Sequence, residues 1–374
     1  MFSQKNRSRI AILFILISFI QGLIFSGCTG SKTAVSTKTD GVNKLAATIV
    51  TDCAGRQVKV PEKVGRIGCL YAFSGHVVTM LGRGSDIVAV VDGLRRDKIM
   101  RELVPEIKDA FVPVTSGSIN IEELIKAKPD VMFVQSSSVS SAEDKEMLEK
   151  SGIPFLVIDY NSIKEQQFAI SVIGKAIGET KKAEEYNSYY QAKVDYVSSK
   201  VSGIPENKKV KVYHSINEAT RTDILNTLPA DWMAVAGVIN VSLKDNLKLL
   251  EGKYYASLEQ IFVWDPDAII ANEAGVADYI MKNEQWHSLR AVINRKVYQM
   301  PNGISRWGHP GSLETPLALL WTIKTIYPEN CKDLNLNEET RSYYKDFFNL
   351  DLTNDDIVQI LSGNGMRLSK GEKE

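Results

Sequence analysis

The sequence predicts an α/β protein: two lobes with mostly parallel central sheets, joined by one long rigid helix, with a ligand cleft between them. Three observations predict it. A fifteen-residue pattern occurs twice, 137 positions apart, at 120–134 and 257–271. Short helical and short apolar segments alternate on either side of the middle of the chain, the pattern of parallel sheets with covered faces. Between the two blocks lies Thr180 to Val201, with Ala183, Tyr186, Tyr190, Val194, Val197 and Val201 at spacings of three and four. That is the period of a helix with one buried face. At 1.5 Å per residue it reaches about 33 Å, enough to strut both blocks.

Each copy of the repeated pattern opens on an N-cap residue, Asn120 or Ser257, with Glu123 or Gln260 three positions on. This is capping-box spacing. Pro129 and Pro266 then stop the helix, and Asp130 and Asp267 precede the apolar runs Val131–Val134 and Ala268–Ala271. Each copy therefore reads as a short capped helix, a proline stop and a buried strand.

The chain has 374 residues, 44% apolar and 24% charged, with zero formal net charge. Its length suits two domains. Its charge balance excludes a nucleic-acid partner, which a basic surface would announce. Lys5, Arg7 and Arg9 precede an apolar run from Ile10 to Ile20 that is too short to span a bilayer core. The run ends at Phe25-Ser26-Gly27-Cys28, which resembles a bacterial lipobox with Phe25 in place of the usual leucine. The resemblance implies a signal peptide over 1–27 and lipidation of Cys28. The polar segment 28–44 reads as a flexible tether. The expected divisions are a first lobe over 45–161, linker helices over 162–202, a second lobe over 203–362 and a disordered tail over 363–374. Cys53, Cys69 and Cys331 lack metal-ligand spacing. They read as small buried hydrophobes, with a Cys53–Cys69 disulfide as the alternative.

In order, Thr48–Val60 reads as a hairpin around a Cys-Ala-Gly turn. Arg66–Leu70 is a strand, Gly75–Leu81 a helix stopped by Gly82, and Ile87–Val91 a strand. After the first repeat come a helix at Glu143–Lys150 and a strand at Pro154–Ile158. Ser162–Ala176 and Thr180–Val201 are helical. Lys209–His214 is a strand and Trp232–Ala236 a helix. After the second repeat come a short helix at Trp286–Ala291, a strand at Lys296–Gln299, and helices at Leu313–Tyr327 and Glu338–Phe348.

Here the residues resemble a known family. Thr51-Asp52 through Gly55-Arg56 to Val60-Pro61, the two repeats, and His309-Pro310-Gly311-Ser312-Leu313-Glu314 with Pro316-Leu317, Trp321 and Tyr327-Pro328-Glu329 match in order. They resemble the helical-linker substrate-binding proteins of ABC importers for ferric siderophores, haem and cobalamin. The resemblance covers about 45–362. It implies a monomeric, lipid-anchored receptor on the extracytoplasmic side of the cell membrane, with an importer permease dimer and its ATPase subunits as partner. It implies that Glu122 and Glu259, one per lobe, pair with arginines of that permease. The physical reading of the same positions, favourable placement at helix N-termini, is compatible.

The ligand cleft is expected at strand ends. Candidates there are Tyr71, Phe73, Ser74, Arg95, Arg96, Ser136, Asn217, Arg221, Thr222, Arg306 and Trp307. The arginines suit an anionic, oxygen-rich ligand. The aromatics suit stacking on a flat chelate or macrocycle. The expected ligand is thus an iron(III) chelate, a siderophore, with cobalamin or haem as alternatives. The four histidines lack the clustering of a metal site, and no resident cofactor is expected. Nucleophile-elbow, phosphate-loop and zinc-helix motifs are absent, so no catalysis is expected.

Overall fold

The computed structural model describes residues 47–115, 118–244 and 247–364. The expected signal segment, Cys28, the tether and the end of the tail lie outside the described residues. The described residues belong to one compact unit.

Strands β1 (Ala47–Thr51) and β2 (Gln57–Pro61) pair antiparallel, with Thr48 opposite Val60. Their turn hangs on the buried Asp52. Its carboxylate accepts the amides of Ala54, Arg56 and Val157 at 2.9 to 3.0 Å and pairs with the Arg56 guanidinium at 2.7 Å. Arg56 lies 4.3 Å over the Phe155 ring. One carboxylate thus fastens the hairpin to the edge of the first sheet.

That sheet has four parallel strands: β3 (Ile67–Cys69), β4 (Ile87–Val90), β5 (Val131–Val134) and β6 (Phe155–Val157), in the order β4-β3-β5-β6. The second sheet has β7 (Lys211–Ser215), β8 (Ile239–Asn240), β9 (Ala268–Ala271) and β10 (Val297–Gln299), in the order β8-β7-β9-β10. Both sheets run second, first, third, fourth. Strands β5 and β9 are apolar and buried throughout, as strands covered on both faces are. The strand order reverses beside the first strand of each sheet, and open α/β sheets bind ligands there.

The repeated pattern builds the same unit twice. Helices Ile121–Ala127 and Leu258–Trp264 are capped by Asn120 and Ser257, whose side chains accept the amides of Glu123 and Gln260. Each ends in a left-handed residue, Lys128 or Asp265. The aspartate that follows the proline then fixes the neighbouring strand. The Asp130 amide donates to the Arg66 carbonyl, and its carboxylate accepts the Gly65 and Arg66 amides on Oδ2, at 2.8 and 2.9 Å. Asp267 does the same for Lys211, at 2.9 Å. These bonds start β3 and β7 in register with β5 and β9.

Helices Ile163–Ala176 and Thr180–Val201 form a hairpin between the sheets. It closes tightly at Gly174, where a Cβ would lie 2.6 Å from the Ala183 Cβ. Lys182 near one end of the long helix donates to the Leu81 carbonyl of the first lobe at 2.8 Å. At the other end Val201 packs beneath Gly237 of the second lobe. The helix therefore runs from lobe to lobe. One apolar core joins Ile67 and Phe133 of the first lobe, Tyr186 and Tyr190 of the helix, and Val212 and Ile270 of the second lobe.

Several elements differ from the sequence-based expectation. The first helix is Ala72–Met80, not 75–81, because Ser74 Oγ turns back onto the Tyr71 carbonyl at 2.6 Å and closes the first turn early. Helix Leu228–Val235 starts four residues before Trp232, with Thr227 as cap and proline in its first turn. Strand β8, the hairpin Lys248–Leu250 with Lys253–Tyr255, and helices Val276–Lys282 and Asn354–Ser362 were not expected. Cys53, Cys69 and Cys331 are free thiols. Burial pushes the Cys53 and Cys69 thiols up to about 11 and about 12.

Gly174→Val drives its side chain into Ala183. It is expected to cost about 1–3 kcal/mol through overpacking. The readout is a lower urea midpoint at an unchanged m-value; an unshifted midpoint would mean that the helix hairpin tolerates separation.

Candidate functional site

Loops at the carboxyl ends of the strands meet between the lobes around a cavity of about 90 Å³. The first lobe contributes Tyr71, His76 and Asp97. The second contributes Ser305, Arg306 and His309, with Gly311 and Ser312 behind them. Tyr71 caps the first helix after β3. Its hydroxyl lies 3.0 Å from that of Tyr160. Burial raises its pKa to about 12, against the lowering hydrogen bond with Tyr160, so it remains a proton donor. The same hydroxyl stands 3.5 Å from where a Gly311 Cβ would sit, an ordinary van der Waals distance, so the two lobes are in contact here.

Arg306 is the cation of the cavity. It follows β10 on a loop whose path is set by a buried carboxylate. Glu314 accepts the Ser305 amide at 2.8 Å and the Ser305 hydroxyl at 3.0 Å on one oxygen, and the Tyr344 hydroxyl at 2.5 Å on the other. Tyr344 in turn accepts the Ile304 amide at 2.7 Å. Loop 302–306 is therefore held from both sides. The Arg306 guanidinium, only 15% exposed, pairs with Glu273 and donates to Asn217 Oδ1 at 2.5 Å. Asn217 adopts a left-handed backbone, and its amide donates to Asn272 Oδ1 at 3.0 Å. These groups follow β7, β9 and β10, at the strand-order reversal of the second sheet. Across the cleft, His76 Nε2 meets Asp97 Oδ2 at 3.2 Å, and both are buried. His76 Nδ1 has no hydrogen-bond partner among the described residues.

The candidates divide into three groups. Tyr71 and Arg306 line the cavity, and Asn217 supports Arg306. Arg95, Arg96, Ser136 and Arg221 are half-buried near strand ends but do not line it. Arg96 pairs with Asp92 at 3.5 Å, and the Arg95 carbonyl accepts Arg101 Nε at 2.5 Å. The Arg221 backbone bridges to Tyr255. The third group is a correction. Phe73, Ser74, Thr222 and Trp307 are buried and offer a ligand no surface. Phe73 and Ser74 turn inward because the helix starts at Ala72. Thr222 donates to the His214 carbonyl at 2.8 Å. The Trp307 ring is wholly interior.

Asp97 and His309 were missed as cavity residues; Ser305, beside Arg306 on the same strand-end loop, and His76, a candidate only for a haem ligand, also line it. No local signal marked Asp97, while the closing motif His309–Glu314 did mark the loop. Glu122 and Glu259 are exposed on their helices. Hydrogen bonds from its own amide and from the Ser257 side chain hold the Glu259 carboxyl below the usual range, so it is anionic. No metal-ligand cluster occurs among the described residues.

Residues 80–303 match the family model described as "Periplasmic binding protein". The molybdate-binding protein MolA of Haemophilus influenzae is 25% identical over 330 residues, covering 81% of this chain and 92% of MolA. An uncharacterised ABC transporter substrate-binding lipoprotein of Bacillus subtilis, YvrC, is 24% identical, covering 84% of this chain and 96% of its own. The structure of MolA bound to molybdate superposes with a TM-score of 0.73 at 22% identity, covering 82% of this chain and 99% of that one. A periplasmic solute-binding protein of Veillonella parvula gives 0.70 at 26% identity, covering 84% and 97%. The chain belongs to the periplasmic binding protein family. It is a substrate-binding component of an ABC importer and not an enzyme.

Burial raises the pKa of Glu314 despite its hydrogen bonds. The folded chain thus holds this proton to higher pH than the unfolded chain does. The resulting stability is complete below the unfolded pKa and is lost as pH rises through the folded one. Stability of the native protein minus that of Glu314→Gln should therefore fall with rising pH across and above the carboxylate range in chemical denaturation. A flat difference would refute the raised value.

Proposed function

We propose that this chain is the lipid-anchored, extracytoplasmic receptor of an ABC importer and that it captures a compact oxyanion of the molybdate class. The observation that carries this reading is a cavity of about 90 Å³ between the lobes with one guanidinium in its wall. Pockets for drug-sized organic ligands run to roughly 300–1,000 Å³. A volume near 90 Å³ suits an inorganic anion, and the hydroxyl of Tyr71 and the guanidinium of Arg306 suit its oxygens. The likeness to a molybdate-binding protein supports the same class. The Bacillus relative's description as a lipoprotein supports the anchor at Cys28.

A ferric siderophore, with cobalamin or haem as alternatives, is the second reading. It is favoured by a groove of about 470 Å³ between the segment after β6 (Asn161, Ser162, Glu165) and the loop and helix after β7 (Leu225–Ala234). This groove has the volume that the cavity lacks, but its lining residues include no arginine or lysine.

Docking belongs to the same proposal. Glu122 and Glu259 stand one on each lobe at equivalent positions of the repeated unit, exposed and acidic, as sites for two cationic pockets of a permease pair. Binding closes the lobes, and the interlobe helix limits the movement.

Calorimetric titration of residues 29–374 with molybdate, a ferric siderophore, haem and cobalamin separates the readings. Molybdate should bind, and Arg306→Gln should weaken it by about 10- to 150-fold, the worth of a charged hydrogen bond. Binding of a chelate alone would reverse the order of the two readings. Charge reversal of Glu122 and Glu259 together should abolish uptake by cells while leaving affinity unchanged; a fall in affinity would place the pair in the cleft.

A further inference from the structure

Resting on the oxyanion reading, we infer that Glu273 is a built-in competitor for the ligand and so sets the affinity and charge selectivity of the site. Arg306 is the arginine in the cavity wall, and in the present structure its guanidinium is occupied by a carboxylate of its own lobe. Glu273 reaches it from the loop after β9, and Asn217 reaches it from the loop after β7. Asn272 fixes Asn217 in turn. The pairing is thus built from both strands that flank the strand-order reversal.

Two features make Glu273 a competitor rather than a support. Its side chain is 35% exposed against 15% for Arg306, so it can turn to solvent while the guanidinium cannot. And Arg306 has a second acceptor, the Asn217 side chain, which holds the guanidinium in place without Glu273. An oxyanion entering the cavity meets a cation already neutralised. It must displace the carboxylate or accept two anions at one guanidinium. Where the competent form is only a fraction of the population, the apparent dissociation constant rises by the reciprocal of that fraction. The carboxylate also imposes selectivity, since a weakly basic monoanion displaces it less readily than a divalent oxyanion does.

The test uses the full soluble chain, its Glu273→Gln and Arg306→Gln variants, and the double variant. Molybdate is the probe, measured by calorimetry, with chloride and nitrate as monoanion controls. Glu273→Gln should bind molybdate at least tenfold more tightly than the native protein and should gain measurable affinity for the monoanions. Unchanged or weaker molybdate binding by Glu273→Gln would overturn the inference, because it would make Glu273 a neutral bystander or a group that aims Arg306. Thermal unfolding of the four proteins closes a double-mutant cycle. Coupling between positions 273 and 306 is expected in the empty protein, and additive effects would also overturn the inference. Failure of molybdate to bind any of the four proteins would instead overturn the oxyanion reading and this inference with it, so the two failures are distinguishable.

Discussion

The buried carboxylate of Glu314 is the constraint on which the cleft depends. Burying a charge without partners is prohibitively costly, so its position is stable only because Ser305 and Tyr344 satisfy both oxygens. That requirement works in both directions. The carboxylate dictates where residues 303–306 run, and those residues dictate where Arg306 stands. Gly303 leaves the space that Glu314 and Tyr344 fill together, since any Cβ there would overlap both. Tyr344 lies on helix Leu336–Phe348, which packs on the long interlobe helix through Tyr343 against Tyr186. The position of the cavity's cation is thereby referred to the same rigid element that spaces the lobes.

The lobes themselves are set by a smaller device used twice. A capped helix, a left-handed stop and a Pro-Asp step deliver an aspartate to the start of the neighbouring strand. Asp130 and Asp267 each satisfy amides that would otherwise lie unpaired at the mouth of a parallel pair. The duplicated local chemistry yields duplicated strand order. It also leaves Glu122 and Glu259 at equivalent, outward-facing places. Residues that build the fold and residues proposed to meet the importer are therefore interleaved on one short helix.

This device was legible because its parts are local: cap, spacing, proline and apolar run all lie within fifteen residues. The interlobe helix was legible for the same reason, through its period. Strand β8, of two residues, and the hairpin Lys248–Tyr255 carry too short a pattern to stand out. The cavity was only partly legible. Arg306 and Tyr71 follow strands and could be placed by topology. His76 and Asp97 meet across 21 positions, and no property of either residue announces the other. Phe73 and Trp307 were expected at the ligand because aromatic residues near strand ends suit both stacking and packing. A shift of three residues in a helix start decided for packing in the case of Phe73.

The placement of charge around Arg306 shows why counting arginines misleads about ligand class. Four arginines near strand ends suggest a strongly cationic cleft. In the folded chain Arg96 is matched by Asp92, Arg306 by Glu273, and the Arg95 carbonyl ties Arg101. What the cavity presents is one guanidinium with its counter-ion, His76 with its aspartate, His309 and the Tyr71 hydroxyl. Such a site has almost no net field to draw in a multiply charged chelate from a distance. On the proposed reading it would discriminate instead by what can replace an acid at close range: volume, oxygen geometry and basicity. Selectivity of that kind is local, and it fits the proposed compact anion better than a large chelate.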